Sequence, residues 1–337
     1  MKNIREILKD LFLFIALIVI TLVVIFNNNN FRETMKIIAN VDYGYILLGI
    51  GVMTFYFVFE SLNIKNILRR LHSNVSVFNA FRFSLIGFFF SGITPAATGG
   101  QPMQIYYMQK NNIPVTYATL TLLIQICSYH IITIICGIVG LILNYRILPN
   151  YYIWLFLFGI FCKSLALTMM MICLFSQKTG KKLVNMVIRF LEKIRYKKVD
   201  YVKESINNSL NEYNEGAIFI KENKKIFLQS LFFVLLQTLV YYMVPYFVYR
   251  SFGLNSYSIT KIMFIQAMLY IMVSSIPLPG AVGISEAAFL HIYLTIFGTE
   301  KLASATLLTR GINFYLFVLL GFVMTLFTII KNKKAHV

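Results

Sequence analysis

Charge is what this chain has least of. Only 13% of its 337 residues are Asp, Glu, Lys or Arg, about half the roughly 25% of soluble domains. With 58% hydrophobic residues, 16% aromatic residues and a mean hydropathy of +0.72, a soluble globular fold is excluded and a polytopic membrane protein is indicated. Cysteine is scarce as well. Cys127, Cys136, Cys162 and Cys173 all fall in apolar runs without C-x-x-C spacing, so they read as small buried hydrophobes and not as disulfides or ligands. The sequence has no metal-ligand cluster, no Ser/His/Asp spacing of catalytic type, no phosphate loop and no nucleotide fold. No catalytic set, metal or cofactor is therefore expected. The net charge of +18 would suit nucleic acid. The basic residues, however, sit between apolar spans and at the termini, where they orient a membrane protein and meet anionic lipid. Membrane lipid, not nucleic acid, is the expected partner.

What is present is a stretch that occurs twice. Residues 91–104 read SGITPAATGGQPMQ and residues 274–286 read SSIPLPGAVGISE. With Pro95 over Pro279, Ser91 matches Ser275, Ala97 matches Ala281 and Gly99 matches Gly283. Proline removes a backbone donor and glycine permits strained backbone, so both segments are expected to be helices broken at membrane depth. Irregular backbone there is tolerated only when buried in protein or lining a polar cavity. Interrupted segments at corresponding positions of two halves point to a transport site.

In chain order, Lys2, Arg5 and Lys9 precede an apolar run from Leu11 to Phe26. It resembles a signal peptide, but FNNNN stands where small residues would mark cleavage, so an uncleaved first span is expected. Further spans are expected over 43–61, 115–143, 151–175, 226–249 and 303–330, with broken elements at 78–110 and 258–297. Residues 176–225 form a basic insert between a first membrane half, 1–175, and a second, 226–337. In it KKLVNMVIRFLEKIRYKK is either an amphipathic helix on an anionic surface or part of a solvated helical hairpin. The N-terminus, the 61–77 loop, the insert and the C-terminal tail hold 3, 3, 12 and 3 Lys/Arg, which puts both termini in the cytoplasm. This count fits if each broken element returns to the side it entered from. The expected fold is all-α: about six full spans and two re-entrant hairpins in an inverted repeat.

Charged groups inside a membrane are costly and by default functional. Glu60 closes the second span and could equally sit at the interface. Lys163 lies mid-span, either paired with a carboxylate or functional, and His130, also mid-span, is more simply read as making one internal hydrogen bond. Glu286 follows the second break, with Ser285 as its expected N-cap, and could answer the helix dipole or hold a cationic head group. Arg310 could neutralise Glu286 or bind a phosphate bidentately. His291 is expected to face the packed interior. Gly99 and Gly100 lead into Gln101 and Pro102 as the start of a new helix, whose free N–H groups form an anion site. Gly283 plays the matching part in the second break.

TPAATGGQP, S-x-P-x-PGAVG-x-SE and TRG-x-NFYL together resemble the lysylphosphatidylglycerol synthase transmembrane family, over about residues 10–330. The family includes the membrane half of the multiple peptide resistance factor, taken to flip aminoacylated phosphatidylglycerol, and stand-alone proteins of uncharacterised function. The resemblance implies a bacterial plasma-membrane protein with functional charges at Glu286 and Arg310, and less securely at Glu60. It implies phosphatidylglycerol or lysyl-phosphatidylglycerol as substrate. The family's cytosolic lysyltransferase domain is not expected here, since the chain stops at Val337 just after its last span. Three readings stay open: a phospholipid translocase, a lysyltransferase completed by a separate synthase chain, and a non-transporting partner of lipid or glycan synthesis enzymes. Homo-oligomerisation stays open too. The translocase reading places the half-helix starts and Arg310 on the phosphate, and Glu286 and Glu60 on any amine, with Lys163 also in the candidate set.

Overall fold

The computed structural model describes residues 4–26, 30–145, 150–175, 218 and 223–334. The expected amphipathic helix of the basic insert lies outside the described residues. Among those described, all regular structure is helical. The first helix, α1 (Ile4–Phe26), turns by 100° into α2 (Phe31–Ala39), whose N-cap Asn30 accepts from the Arg32 N–H. Then come α3 (Tyr43–Arg70), α4 (Val77–Ile93), a 3-10 turn over Pro95–Ala97, α5 (Gly100–Gln109), α6 (Val115–Asn144) and α7 (Asn150–Phe175). The second half follows the same order: α8 (Lys224–Ser251), α9 (Ile259–Ser274), a 3-10 turn over Pro279–Ala281, α10 (Ile284–Ile292) and α11 (Leu294–Arg310). A π-helical turn, Gly311–Tyr315, joins α11 to α12 (Leu316–Lys334). Among the described residues, five helical segments are long and apolar enough to cross a membrane, or six with the bent α1–α2 pair. The chain is an all-α polytopic membrane protein.

Both broken elements double back. Along the first, Arg82 bonds Asn111 at 2.8 Å, Gly87 abuts the Gln104 side chain and Gly100 abuts Ser91, so α5 runs antiparallel beside α4. A methyl group at Gly100 would lie 1.9 Å from Ser91 Oγ and 2.8 Å from the Gly87 carbonyl, which makes this closeness a requirement for glycine. Along the second, the Tyr293 hydroxyl reaches back to the Ile262 carbonyl and to Gln266 Oε1 at 3.3 and 3.0 Å.

The halves interlock. Helix α3 packs on α8 at the centre, α4 packs on α12 and α9 packs on α6. Glycine allows the last two crossings: Gly321 lies against the Leu85 backbone and Gly140 against the Phe264 backbone, each closer than any side chain permits. Without a hydrophobic drive between helices in lipid, such close backbone approach is what holds them together.

Helix α3 corrects one expectation. It continues past residue 61 to Arg70, burying Glu60, Asn63, Ile64, Ile67 and Leu68 along one face. Glu60 stands ten residues before the helix end, roughly 15 Å inward at 1.5 Å per residue, and is buried among its neighbours.

Candidate functional site: the hairpin tips and the charges behind them

Each tip is built by the same local chemistry. Helix α4 stops at Thr94, whose hydroxyl donates to the Phe90 carbonyl and accepts from the Gly99 N–H at 2.9 Å. Pro95 and Pro279 each open a 3-10 turn, where a missing N–H costs nothing. The next residues go left-handed: Ala96 and Ala97 at φ 51° and 56°, Gly280 and Ala281 at φ 57° and 51°. For alanine that conformation costs about 1–2 kcal/mol per residue, so three such alanines signal backbone held in place by its surroundings. The repeated frame breaks at its last position, since Gly99 has φ −83° and Gly283 has φ 87°.

The two tips touch and share a cavity of about 220 Å³. Ser91, Ala96 and Ala97 line it from the first tip; Gly280, Ala281 and Ser285 line it from the second. Tyr241 of α8, Tyr270 of α9, and Arg310, Asn313 and Phe314 around the π turn complete its wall. Among the described residues of that lining, Arg310 is the one that is charged. A π turn beside a cavity charge is a recurrent feature of functional sites, because it re-aims the side chains that follow.

Arg310 and Glu286 form a buried ion pair, Nε to Oε1 at 2.6 Å. Glu286 is fully buried and its oxygens are filled. Oε1 also accepts from Thr21 of α1 at 3.2 Å, and Oε2 accepts from the Gly283 N–H at 2.6 Å and the Ser285 hydroxyl at 3.2 Å. Arg310 Nη2 donates to the Gly280 carbonyl at 3.1 Å, and the guanidinium lies 4.3 Å from the Phe314 ring centre. Tyr315 closes the set through a very short contact with Thr21 and a bond to the Leu17 carbonyl. Glu286 thus clamps Arg310, the second tip and α1 together, while Arg310 faces the cavity.

Ser285 is not the N-cap of α10. Gly283 is, and the Glu286 carboxylate caps the helix by accepting its N–H, with Ser285 at the second helical position. Pro102 likewise falls third in α5, not first, within the first turn where N–H groups are unpaired anyway. Gly99, Gly100 and Gln101 do not line the cavity, and the Gly99 N–H is bound to Thr94. The residues just before the helix starts face the cavity instead.

Glu60 lies apart from this pair. Its oxygens accept from Gln104 of α5 at 3.3 Å and Gln237 of α8 at 3.4 Å, with Gln125 of α6 and Ser84 of α4 beside it. Among the described residues no cation stands within salt-bridge reach of it. Lys163 is buried, and of its two readings the carboxylate pair is not seen among the described residues; its Nζ sits 4.8 Å over the Tyr270 ring. His130, nearby, has a buried Nδ1 without a hydrogen-bond partner. His291 is exposed, contrary to expectation, with Nδ1 2.8 Å from the Ala287 carbonyl; it falls on the face of a nine-residue half-helix opposite Glu286, Ala288, Phe289 and Ile292.

Thr21, Tyr315, Gln104, Gln125 and Gln237 carry much of this chemistry, and sequence reasoning passed over them. The three glutamines were detectable as uncharged polar groups inside apolar spans. Thr21 was not, since threonine bonds its own helix in most spans.

A family model described as "Lysylphosphatidylglycerol synthase TM region" matches residues 11–321. The chain is 24% identical over 319 residues to a UPF0104 membrane protein of Pyrococcus horikoshii, covering 90% of this chain and 91% of that protein. It is 18% identical over 320 residues to a UPF0104 membrane protein of Archaeoglobus fulgidus, covering 92% and 94%.

Proposed function

The chain belongs to the lysylphosphatidylglycerol synthase TM region family, and on that premise we propose that it translocates an anionic phospholipid through the cavity between its two hairpin tips. The observation that carries this reading is the placement of Arg310, a clamped guanidinium bordering a cavity that both tips share. The lipid phosphate docks on the guanidinium fork, while the acyl chains stay in the bilayer. A planar, fixed-charge donor suits a phosphate whose remaining oxygens can turn toward the tips. Glu286 acts as a positioning residue: with four donors on its oxygens it has no capacity for an amine. The described lining therefore offers guanidinium donors for a phosphate and no free carboxylate for an amine, which favours phosphatidylglycerol over its lysylated form.

The positive-inside count gives the geometry of movement. It sets the hairpins entering from opposite faces, the first from the cytoplasm and the second from outside, as an inverted repeat. A head group at the touching tips is then midway across, and opening one hairpin or the other releases it to either leaflet. The protein resides in the cell membrane in this reading, with both termini cytoplasmic.

The test reconstitutes the full chain in liposomes with fluorescent phosphatidylglycerol, lysyl-phosphatidylglycerol or phosphatidylcholine. Accessibility of each probe to an impermeant quencher is followed over time. Phosphatidylglycerol is expected to exchange fastest, well above protein-free vesicles. Exchange of no probe above that background overturns the translocase, and faster movement of the lysylated lipid overturns the charge argument.

A further inference from the structure

We infer that Glu60 is the centre of a binding site for a monovalent cation, a proton or a sodium ion, separate from the lipid cavity. A carboxylate buried without a counter-charge is among the most costly groups a membrane protein can hold. Glu60 is 8% exposed, well inside α3, and what surrounds it among the described residues is uncharged: Ser84, Gln104, Gln125 and Gln237. The donors around it, Gln104 and Gln237 at 3.3 and 3.4 Å with Gln125 and Ser84 beside them, are all neutral, and the two amide contacts are long for charge-assisted bonds. They leave the negative charge undercompensated.

The second observation is independent of that charge. Gln125 Oε1 and Gln237 Oε1, both beside Glu60, are buried with no hydrogen-bond partner, as is Asn63 Oδ1 one helical turn along. These three side chains are at most 8% exposed. Buried oxygens in native structures are ordinarily satisfied, so a cluster of unsatisfied ones marks a missing partner. Carboxylate, amide and hydroxyl oxygens are the ligand set of a hard cation. A proton on Glu60 meets the same demand, donating to one of these oxygens.

The site is also wired to the tips. The side chains around it come from α3, α4, α5, α6 and α8, and Ser84 and Gln104 ride on the two arms of the first hairpin. Cation binding therefore draws that hairpin toward α8 of the other half. The titratable group facing Glu60 is Tyr56, on its own helix. The Tyr56 ring packs on Tyr241 of α8, 5.8 Å between centroids, and Tyr241 lines the cavity and packs on Tyr270 of α9. Tyr129 of α6 stands against Tyr270. Arg82 of α4 turns away to Asn111, and the polar face of α5 offers only Gln104.

The inference concerns equilibrium binding and does not need transport, so its failure leaves the translocase reading untouched. Infrared difference spectra of the purified full chain test it, wild type against E60Q. A protonated-carboxyl band that E60Q removes is expected to disappear as pH rises, for a proton site. For a sodium site, the Glu60 carboxylate bands shift when sodium chloride replaces choline chloride at constant pH. Spectra in which neither change depends on Glu60 overturn the site. Q125L and Q237L keep the carboxylate and remove oxygens, and cover the case in which E60Q does not fold. Each is expected to move the midpoint of the response at least tenfold in cation concentration, and unmoved midpoints in both overturn it as well.

Discussion

Replacing both members of the Glu286–Arg310 pair separates what the pair does for the fold from what Arg310 does for lipid. Glu286 is fully buried, and four donors converge on it. Arg310→Ala alone strands that carboxylate, and Glu286→Gln alone strands the guanidinium; removing one partner of a buried pair costs about 3–5 kcal/mol. At roughly 2 °C per kcal/mol, the low end for larger chains, each single change lowers the unfolding midpoint by about 6–10 °C. The double change Glu286→Gln/Arg310→Met leaves two uncharged groups of similar volume, and such replacements are about neutral for stability. It is expected to recover most of the midpoint while phosphatidylglycerol exchange stays at the protein-free level. Midpoints come from thermal unfolding in detergent micelles and exchange from the quencher assay on the same preparations. A double variant no more stable than the singles refutes the pairing energetics. A stable double variant that still moves lipid refutes Arg310 as the phosphate ligand.

At Gly280 a methyl group would lie 2.2 Å from Phe314 Cζ at φ 57°, so Gly280→Ala is expected to cost about 2 kcal/mol or more by strain and overpacking. Gly283→Ala has φ 87° but no atom within 3.6 Å; it should cost only the backbone term, roughly 1–2 kcal/mol, and thermal unfolding orders the two. Gly100→Ala should pry α5 off α4, seen as faster hydrogen exchange across 85–109; adding Ser91→Gly relieves the side-chain clash but not that with the Gly87 carbonyl, so rescue is expected to be partial. Lys163→Met should raise or preserve the unfolding midpoint. A buried ammonium whose described contact is an aromatic ring loses more by desolvation than a cation–π contact of about 2 kcal/mol returns, and a drop of several degrees would reveal a carboxylate partner.

Much of this architecture was legible because it is written in local chemistry. The S-x-x-x-P-x-A-x-G frame located both tips, and Ala97 and Ala281 do adopt the same left-handed conformation. Hydropathy located the spans. It ended α3 too early because Asn63, Lys65 and Asn66 interrupt the apolar run, although Glu60, Asn63, Ile64 and Ile67 keep a buried helical face. Cap preferences pointed to Ser285, yet Glu286 serves as the cap, an outcome set by the left-handed Gly283. Beyond local reach lay the meeting of Thr21 with Glu286 across 265 residues and the four side chains that gather round Glu60. Those depend on how whole helices pack, and single-chain periodicity carries no record of that.

The crossing of α4 over α12 has a consequence for biosynthesis. The first tip leaves the ribosome early, but Gly321, against which α4 packs, belongs to α12. Between Ile93 and Leu316 the ribosome adds more than 200 residues, a wait on the order of 10–40 s at about 5–20 residues per second. During that interval the hairpin must shelter in the insertion machinery or against α3, and the cavity exists only once the π turn that completes its wall has been made. A chain interrupted before Arg310 would thus carry both tips and lack the wall that closes the cavity between them.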